Sequence, residues 1–200
     1  MDEHIGCMAR PSNREKILTE GLRVVHEHGF AGASVRDIVH AAGVPQGSFT
    51  NHFASKEAFG LEVLDLYANR GRAVLDATLR NEALAPLQRL RAYIEARRDR
   101  LTQTGIRNGC LYGNFLAEAN EHGEAIRSRV AEIFAETRTA VAATLRAAAE
   151  AGEVPGSLNC DEVAGFIVSS LQGAILVAKA EGSAAPIDRF ENILFSRVLR

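Results

Sequence analysis

Apolar positions recur along this chain at intervals of three and four residues, and no segment shows the two-residue alternation of a strand. Ile17, Leu18, Leu22 and Val25 form the first such stripe, and this spacing puts them on one face of a helix. Pro11-Ser12 precedes the stripe as an opening signal and His28-Gly29 closes it, Gly29 being suited to a helix stop. Ser34 stands three residues before Asp37, the arrangement of a capped first turn, and predicts a short helix over Val35–Ala42. Gly43-Val44 reads as a tight turn. A second short helix is expected from about Pro45 to His52, because proline suits a first helical turn. Ser55 then caps a long helix from Lys56 to about Leu79, with Phe59, Val63, Leu64, Leu66 and Tyr67 among its apolar positions.

The second half continues in the same way. A helix is predicted from Pro86 to about Thr104, interrupted at Gly105 and Gly109, with Leu111–Ala119 resuming. Periodicity returns over Glu124–Ala151 and breaks at Gly152 and Pro155-Gly156. Asp161–Ala180 is the most apolar stretch, 182–186 reads as a loop, and Ile187–Leu199 as a last amphipathic helix. The predicted fold is all-α, with a helical head over 1–55, a helical body over 56–200, and the long helix after Lys56 shared between them.

Apolar residues make up 46 % of the 200 positions, enough for a substantial core. The chain reads as having no apolar run of about 18 residues, so no membrane span is expected. The acidic start Met1-Asp2-Glu3-His4 lacks the apolar stretch of a secretory signal. Cys7, Cys110 and Cys160 are far apart, which fits free thiols in a cytoplasmic protein. The net charge is −2, and residues 1–60 carry Arg10, Arg14, Lys16, Arg23, Arg36 and Lys56 against seven carboxylates. Bulk charge therefore gives no argument for nucleic acid, and any such argument rests on local geometry.

That geometry lies in residues 35–59. Two short helices joined by a turn at Gly43 form a helix-turn-helix pattern. Ile38, Ala41 and Val44 would pack these helices on the first one, leaving Gln46, Gly47, Ser48, Thr50, Asn51 and His52 on or near a helix too short and polar to be a core element. Such a helix fits a major groove about 12 Å wide, and helix N-termini here and at Lys56 are suited to phosphate. The segments His28-Gly29-Phe30, Ser34-Val35-Arg36-Asp37-Ile38, Ala42-Gly43-Val44, Gly47-Ser48-Phe49, His52-Phe53 and Ser55-Lys56-Glu57-Ala58 resemble the signature of the tetracycline-repressor (TetR) family. The resemblance implies a homodimeric transcription repressor with a DNA-binding head and an effector pocket in the C-terminal helices, released from a palindromic operator by a small molecule or by thiol modification. It also implies that Arg36, Gln46, Ser48, Asn51 and His52 face DNA and that Lys56 holds a phosphate. One departure is Thr50, which stands where the family commonly has tyrosine. Alternatives stay open residue by residue: Asn51 or His52 capping a helix end, and Arg36 pairing with Asp37 or Glu57.

In the body, Asn108–Glu118 and Ser169–Lys179 resemble segments of the same family. Gly165, Ser169 and Gly173 are four apart and share a helix face. With Phe190, Ile193, Leu194 and Val198 they would form a four-helix seam between two subunits, the alternative being a helix buried within one subunit. Tyr67, Tyr93, Tyr112, Asn114, Phe115, Glu118 and Phe134 are the pocket candidates, an apolar site with a few polar groups; the alternative is that the aromatic ones fill the core. Cys110 sits near a helix start with Arg107 close by, a setting that favours reactive thiols, and is either a sensor or a small buried apolar residue. No phosphate loop, zinc spacing or nucleophile elbow is present, and His26 and His28 are two apart on different helix faces. No cofactor or metal is expected, and the chain reads as a regulator rather than an enzyme. A DNA-free adaptor on the same fold is the remaining alternative.

Overall fold

The computed structural model describes residues 11–118 and 123–200. His4, Cys7 and Arg10, and the expected helix end at Ala119, lie outside the described residues. The chain divides into two compact units, Met1–Val63 and Leu64–Arg200, with the division inside the long helix that begins at Lys56.

The first unit is built on α1 (Asn13–His28), α2 (Val35–Ala41), α3 (Gly47–His52) and the first turns of α4 (Lys56–Ala77). Ser12 and Ser34 both close reciprocal capping boxes, Ser12 with Glu15 and Ser34 with Asp37, which satisfies backbone donors that a helix start leaves open. The turn after α2 is a Schellman motif. Val44 N–H donates to the Val39 carbonyl and Gly43 N–H to that of His40, both at 3.1 Å, with Gly43 at φ 64°, where only glycine is unstrained. Proline 45 belongs to the connecting turn instead of to α3: its carbonyl takes the Ser48 N–H at 2.9 Å, so the regular helix starts two residues later than periodicity implied.

An aromatic cluster closes this unit. Phe49, Phe53 and Phe59 lie with ring centroids 5.2–5.3 Å apart, and Ile17, Ile38 and Phe59 are fully buried. Pairs in such geometry contribute about 0.5–1.5 kcal/mol beyond the area they bury. Gly21 makes room for it: a Cβ there would lie 2.4 Å from Cζ of Phe59.

The second unit comprises the rest of α4, α5 (Pro86–Thr104), a 3₁₀ turn over Ile106–Asn108, α6 (Leu111–Ala117), α7 (Gly123–Glu150), α8 (Cys160–Glu181) and α9 (Ala185–Ile193). α8 packs along both α7 and α9, and α5 along α7. Arg72 grips Glu136 with its Nε at 3.0 and 3.2 Å from the two carboxylate oxygens, joining α4 to α7. α8 is, contrary to the sequence reading, long and apolar enough to cross a membrane by length and composition. Its Ala164, Ile167, Leu171, Ile175 and Ala178 are buried in the unit's own core.

The last helix differs from expectation at both ends. Pro186 sits in its first turn, so the loop is shorter than 182–186. At Leu194 the hydrogen bonding widens into a π turn through Val198, with Leu199 N–H donating to the Leu194 carbonyl at 3.1 Å. The wider turn lets both Leu194 and Leu199 be buried, at 1 % and 3 % exposure.

Candidate functional site

In the first unit, α3 is buried only through Phe49 and Ser48. Gln46, Gly47, Thr50, Asn51 and His52 are all exposed, as is Arg36 on α2. The sequence candidates are therefore brought onto one short helix and its partner, with Ser48 as the exception: at 9 % exposure it belongs to the packed side. The Thr50 hydroxyl donates to the Gly47 carbonyl at 3.1 Å, bonding back onto its own helix. Arg36 pairs with neither Asp37 nor Glu57; the Asp37 carboxylate is taken by Ser34, whose hydroxyl donates to it at 2.5 Å. That hydroxyl holds the Asp37 carboxyl below its usual range, the Ser34 backbone N–H adding to the effect.

Lys56 has a structural task. Its Nζ donates to the Ala31 carbonyl at 3.3 Å and lies 4.9 Å from the Phe30 ring centroid, within cation–π range. The ammonium thus ties the start of α4 to the loop after α1.

In the second unit the tyrosines gather. Tyr67 and Tyr112 meet edge-on at 4.9 Å and Tyr112 and Phe134 at 5.7 Å. Tyr93, Tyr112 and Phe134 line a cavity of about 30 Å³ together with Gly71, Leu75 and Leu171. Tyr67 and Cys110 line a second space of about 10 Å³. Burial pushes the Tyr67, Tyr93 and Tyr112 hydroxyls above their usual range, with Arg97 opposing the shift in each case, so all three are neutral donors at physiological pH.

Three candidates fall elsewhere. Phe115 is 1 % exposed and fills the core, Asn114 receives the Lys179 ammonium at 2.8 Å and donates to the Asn108 carbonyl at 2.9 Å, and Glu118 ends α6; none of them lines either cavity. Cys110 is buried at 6 % exposure, and Nη2 of Arg97 donates to its Sγ at 3.6 Å. Arg97 is the residue that the sequence reading missed. It lines both cavities, and its Nε is sealed from solvent with no hydrogen-bond partner. The signal was there: Leu90, Tyr93, Ile94 and Leu101 are the buried stripe of α5, and Arg97 falls on it at helical spacing.

α8 and α9 present an apolar surface. Phe166, Leu176, Val177 and Ile193 are 47 %, 69 %, 43 % and 50 % exposed. Gly173 lies open beside them and Phe190 is half-buried. The Ser169 hydroxyl turns back to the carbonyls of Gly165 and Phe166 at 2.9 and 3.1 Å, which keeps the face apolar. Leu194 is corrected here: it is packed inside the subunit, and its neighbour Ile193 is the exposed residue.

Residues 17–63 match the family described as bacterial regulatory proteins, tetR family, and residues 86–194 match the tetracyclin repressor-like C-terminal domain. The chain belongs to the TetR family. Among its relatives, the HTH-type transcriptional repressor DhaR of Mycobacterium sp. (strain GP1) is 35 % identical over 192 residues, 96 % of this chain and 95 % of that one. The crystal structure of a regulatory protein TetR from Rhodobacter sphaeroides superposes with a TM-score of 0.86 at 30 % identity, covering 92 % of this chain and 97 % of the other. That of Escherichia coli NemR in its reduced form does so with 0.80 at 26 %, covering 91 % and 96 %. This TetR-family chain is accordingly a helix-turn-helix DNA-binding transcriptional regulator and not an enzyme.

Proposed function

We propose that this regulator is a dimeric repressor, active in the cytoplasm, that binds a palindromic double-stranded DNA operator through α3 and α2 of two heads and lets go when an effector occupies the tyrosine-lined cavity of its body. The observation that carries the DNA reading is the exposed row Gln46, Gly47, Thr50, Asn51 and His52 with Arg36 beside it. These polar groups do no work in the head's core, on a helix of major-groove width. The apolar face of α8 and α9 supports the dimer, since four large exposed side chains on one surface call for a partner. Two-fold symmetry of the protein then asks for matching half-sites in the DNA.

Release requires the effector to bind two states unequally. α4 is one continuous helix from Lys56 to Ala77, contributing Phe59 to the head's core and Gly71 and Leu75 to the cavity wall. A ligand that moves the wall of that cavity bears on the helix whose first turns carry Phe59. Coupling of about 1–3 kcal/mol, or roughly 5–150-fold in operator affinity, is the usual scale. A second trigger is favoured by one contact: the Arg97 guanidinium at 3.6 Å from Sγ of Cys110, where modification of the thiol would alter the same wall.

The test is a gel shift with the DNA upstream of the chain's own gene against unrelated DNA of equal length. Retardation of the upstream fragment alone, weakened by Asn51→Ala, is expected. Equal retardation of both fragments, or none, would count against a sequence-specific regulator.

A further inference from the structure

Arg97 is a cation without an anion. Its Nε is buried and unpartnered, Nη2 has only the Cys110 sulfur, and among the described residues no carboxylate forms an ion pair with it. The groups that share its two cavities are Tyr93 and Tyr112 on one side and Tyr67 and Cys110 on the other. A guanidinium cannot discharge itself by losing a proton, and although Arg97 as a whole is half-buried, its Nε is left with an unmade hydrogen bond, which costs the fold free energy. The only carboxylate on the cavity wall, Glu136, is held by Arg72 at 3.0 Å and Arg80 at 3.4 Å. The cavity is therefore built with one unneutralised positive charge, phenol hydroxyl donors from Tyr93 and Tyr112, and an apolar flank of Leu75, Ile133 and Leu171.

We propose that the effector is a small organic anion, a short-chain carboxylate, whose charge is paired by the Arg97 guanidinium while its alkyl part lies on the apolar flank. This rests on the reading that the body senses an effector and names the chemical class it takes. One guanidinium fork matches one carboxylate in a bidentate pair. The space beside Arg97 is about 30 Å³ on one side and about 10 Å³ on the other, where a single water takes roughly 10–15 Å³ by the same measure; it seats a carboxylate head in place of about two or three waters, and even a short alkyl chain requires Tyr112 or Phe134 to give way. A bulky ligand displaces Tyr112 and Phe134 further still.

The experiment is DNA-free. Propionate and butyrate are titrated into the full-length protein against propionamide, butyramide and sodium chloride at matched ionic strength, with melting temperature and titration calorimetry as readouts. The carboxylates are expected to raise the melting temperature by several degrees at saturation, and the amides and chloride to leave it in place. Arg97→Met is expected to fold with a melting temperature close to that of the wild type, since it removes a sealed donor that has no partner, and to bind the carboxylates at least about tenfold more weakly. Arg97→Lys, which keeps the charge, is expected to retain part of the response, and it carries the test if the Met variant does not fold. Amides binding as well as acids, Arg97→Met keeping the full shift, or no binding by calorimetry (Arg97 satisfied by water alone) would each overturn the proposal. Carboxylate binding that is intact while operator affinity does not change would uphold this site and refute the release mechanism instead.

Discussion

Leu176, on α8, is 69 % exposed in the single subunit, the most exposed of the large apolar side chains on the surface that α8 and α9 present. Leu176→Glu perturbs that surface and nothing else, because the side chain does not help hold the subunit's own core. Burying a whole leucine side chain contributes ~1.5–3 kcal/mol, so covering the exposed two-thirds contributes roughly 1–2 kcal/mol. Across a two-fold axis each substitution counts twice, giving about 2–4 kcal/mol per dimer. At 1.4 kcal/mol per tenfold, the dimer dissociation constant rises roughly 30- to 700-fold, before the cost of desolvating two carboxylates. Sedimentation equilibrium over nanomolar to micromolar protein measures this directly, with far-ultraviolet circular dichroism to show that helix content is kept. Leu116→Glu on α6, at 39 % exposure, serves as the control and is expected to dimerise as the wild type does. A Leu176→Glu protein that dimerises as tightly as the wild type would refute the assignment of this face.

Three further outcomes follow from the head and the body. Lys56→Met should lower the melting temperature by about 2–4 °C, the effect of roughly 1 kcal/mol in a chain of this size. It should leave the salt dependence of DNA binding unchanged; a slope flatter by about one unit with an unaltered melting temperature would return Lys56 to phosphate binding. Gly21→Val drives a side chain into the Phe59 ring, which lies fully buried between Phe49 and Phe53. A loss of about 1–3 kcal/mol in denaturant unfolding is expected, and an unchanged midpoint would mean that the aromatic cluster yields freely. Cys110→Ser should bind operator normally and lose any release by thiol-reactive compounds; release that persists in this variant would remove Cys110 from the mechanism.

The helices themselves were largely legible in the sequence because helix boundaries depend on local chemistry. Ser12 and Ser34 capping Glu15 and Asp37, and Gly43 in its turn, act within a few residues of themselves. What escaped was set by tertiary packing. Pro45 reads as a helix start, yet the turn before α3 claims it. Leu194 and Ile193 are both apolar on an amphipathic segment, and only the π turn decides which is buried. The contacts of Lys56 with Ala31 and Phe30 come from a loop 25 residues away and are invisible to local pattern. Phe115 and Tyr112 look equivalent as pocket aromatics, and α6 turns one into the core and the other onto the cavity. Arg97 was within reach, since a charge placed on the buried stripe of α5 asks for an explanation by period alone.

The central claim is that two heads read one symmetric DNA site. Hydroxyl-radical footprinting of the protein on the fragment it retards tests it most directly, with the mass of the complex measured on the same fragment. The account predicts protection in two inverted half-sites on one face of the duplex, about 34–36 Å or a multiple apart, with an even number of subunits bound and with protection lost together in Leu176→Glu at nanomolar concentration. A single protected half-site occupied by one subunit, or protection that survives loss of the dimer, would contradict it.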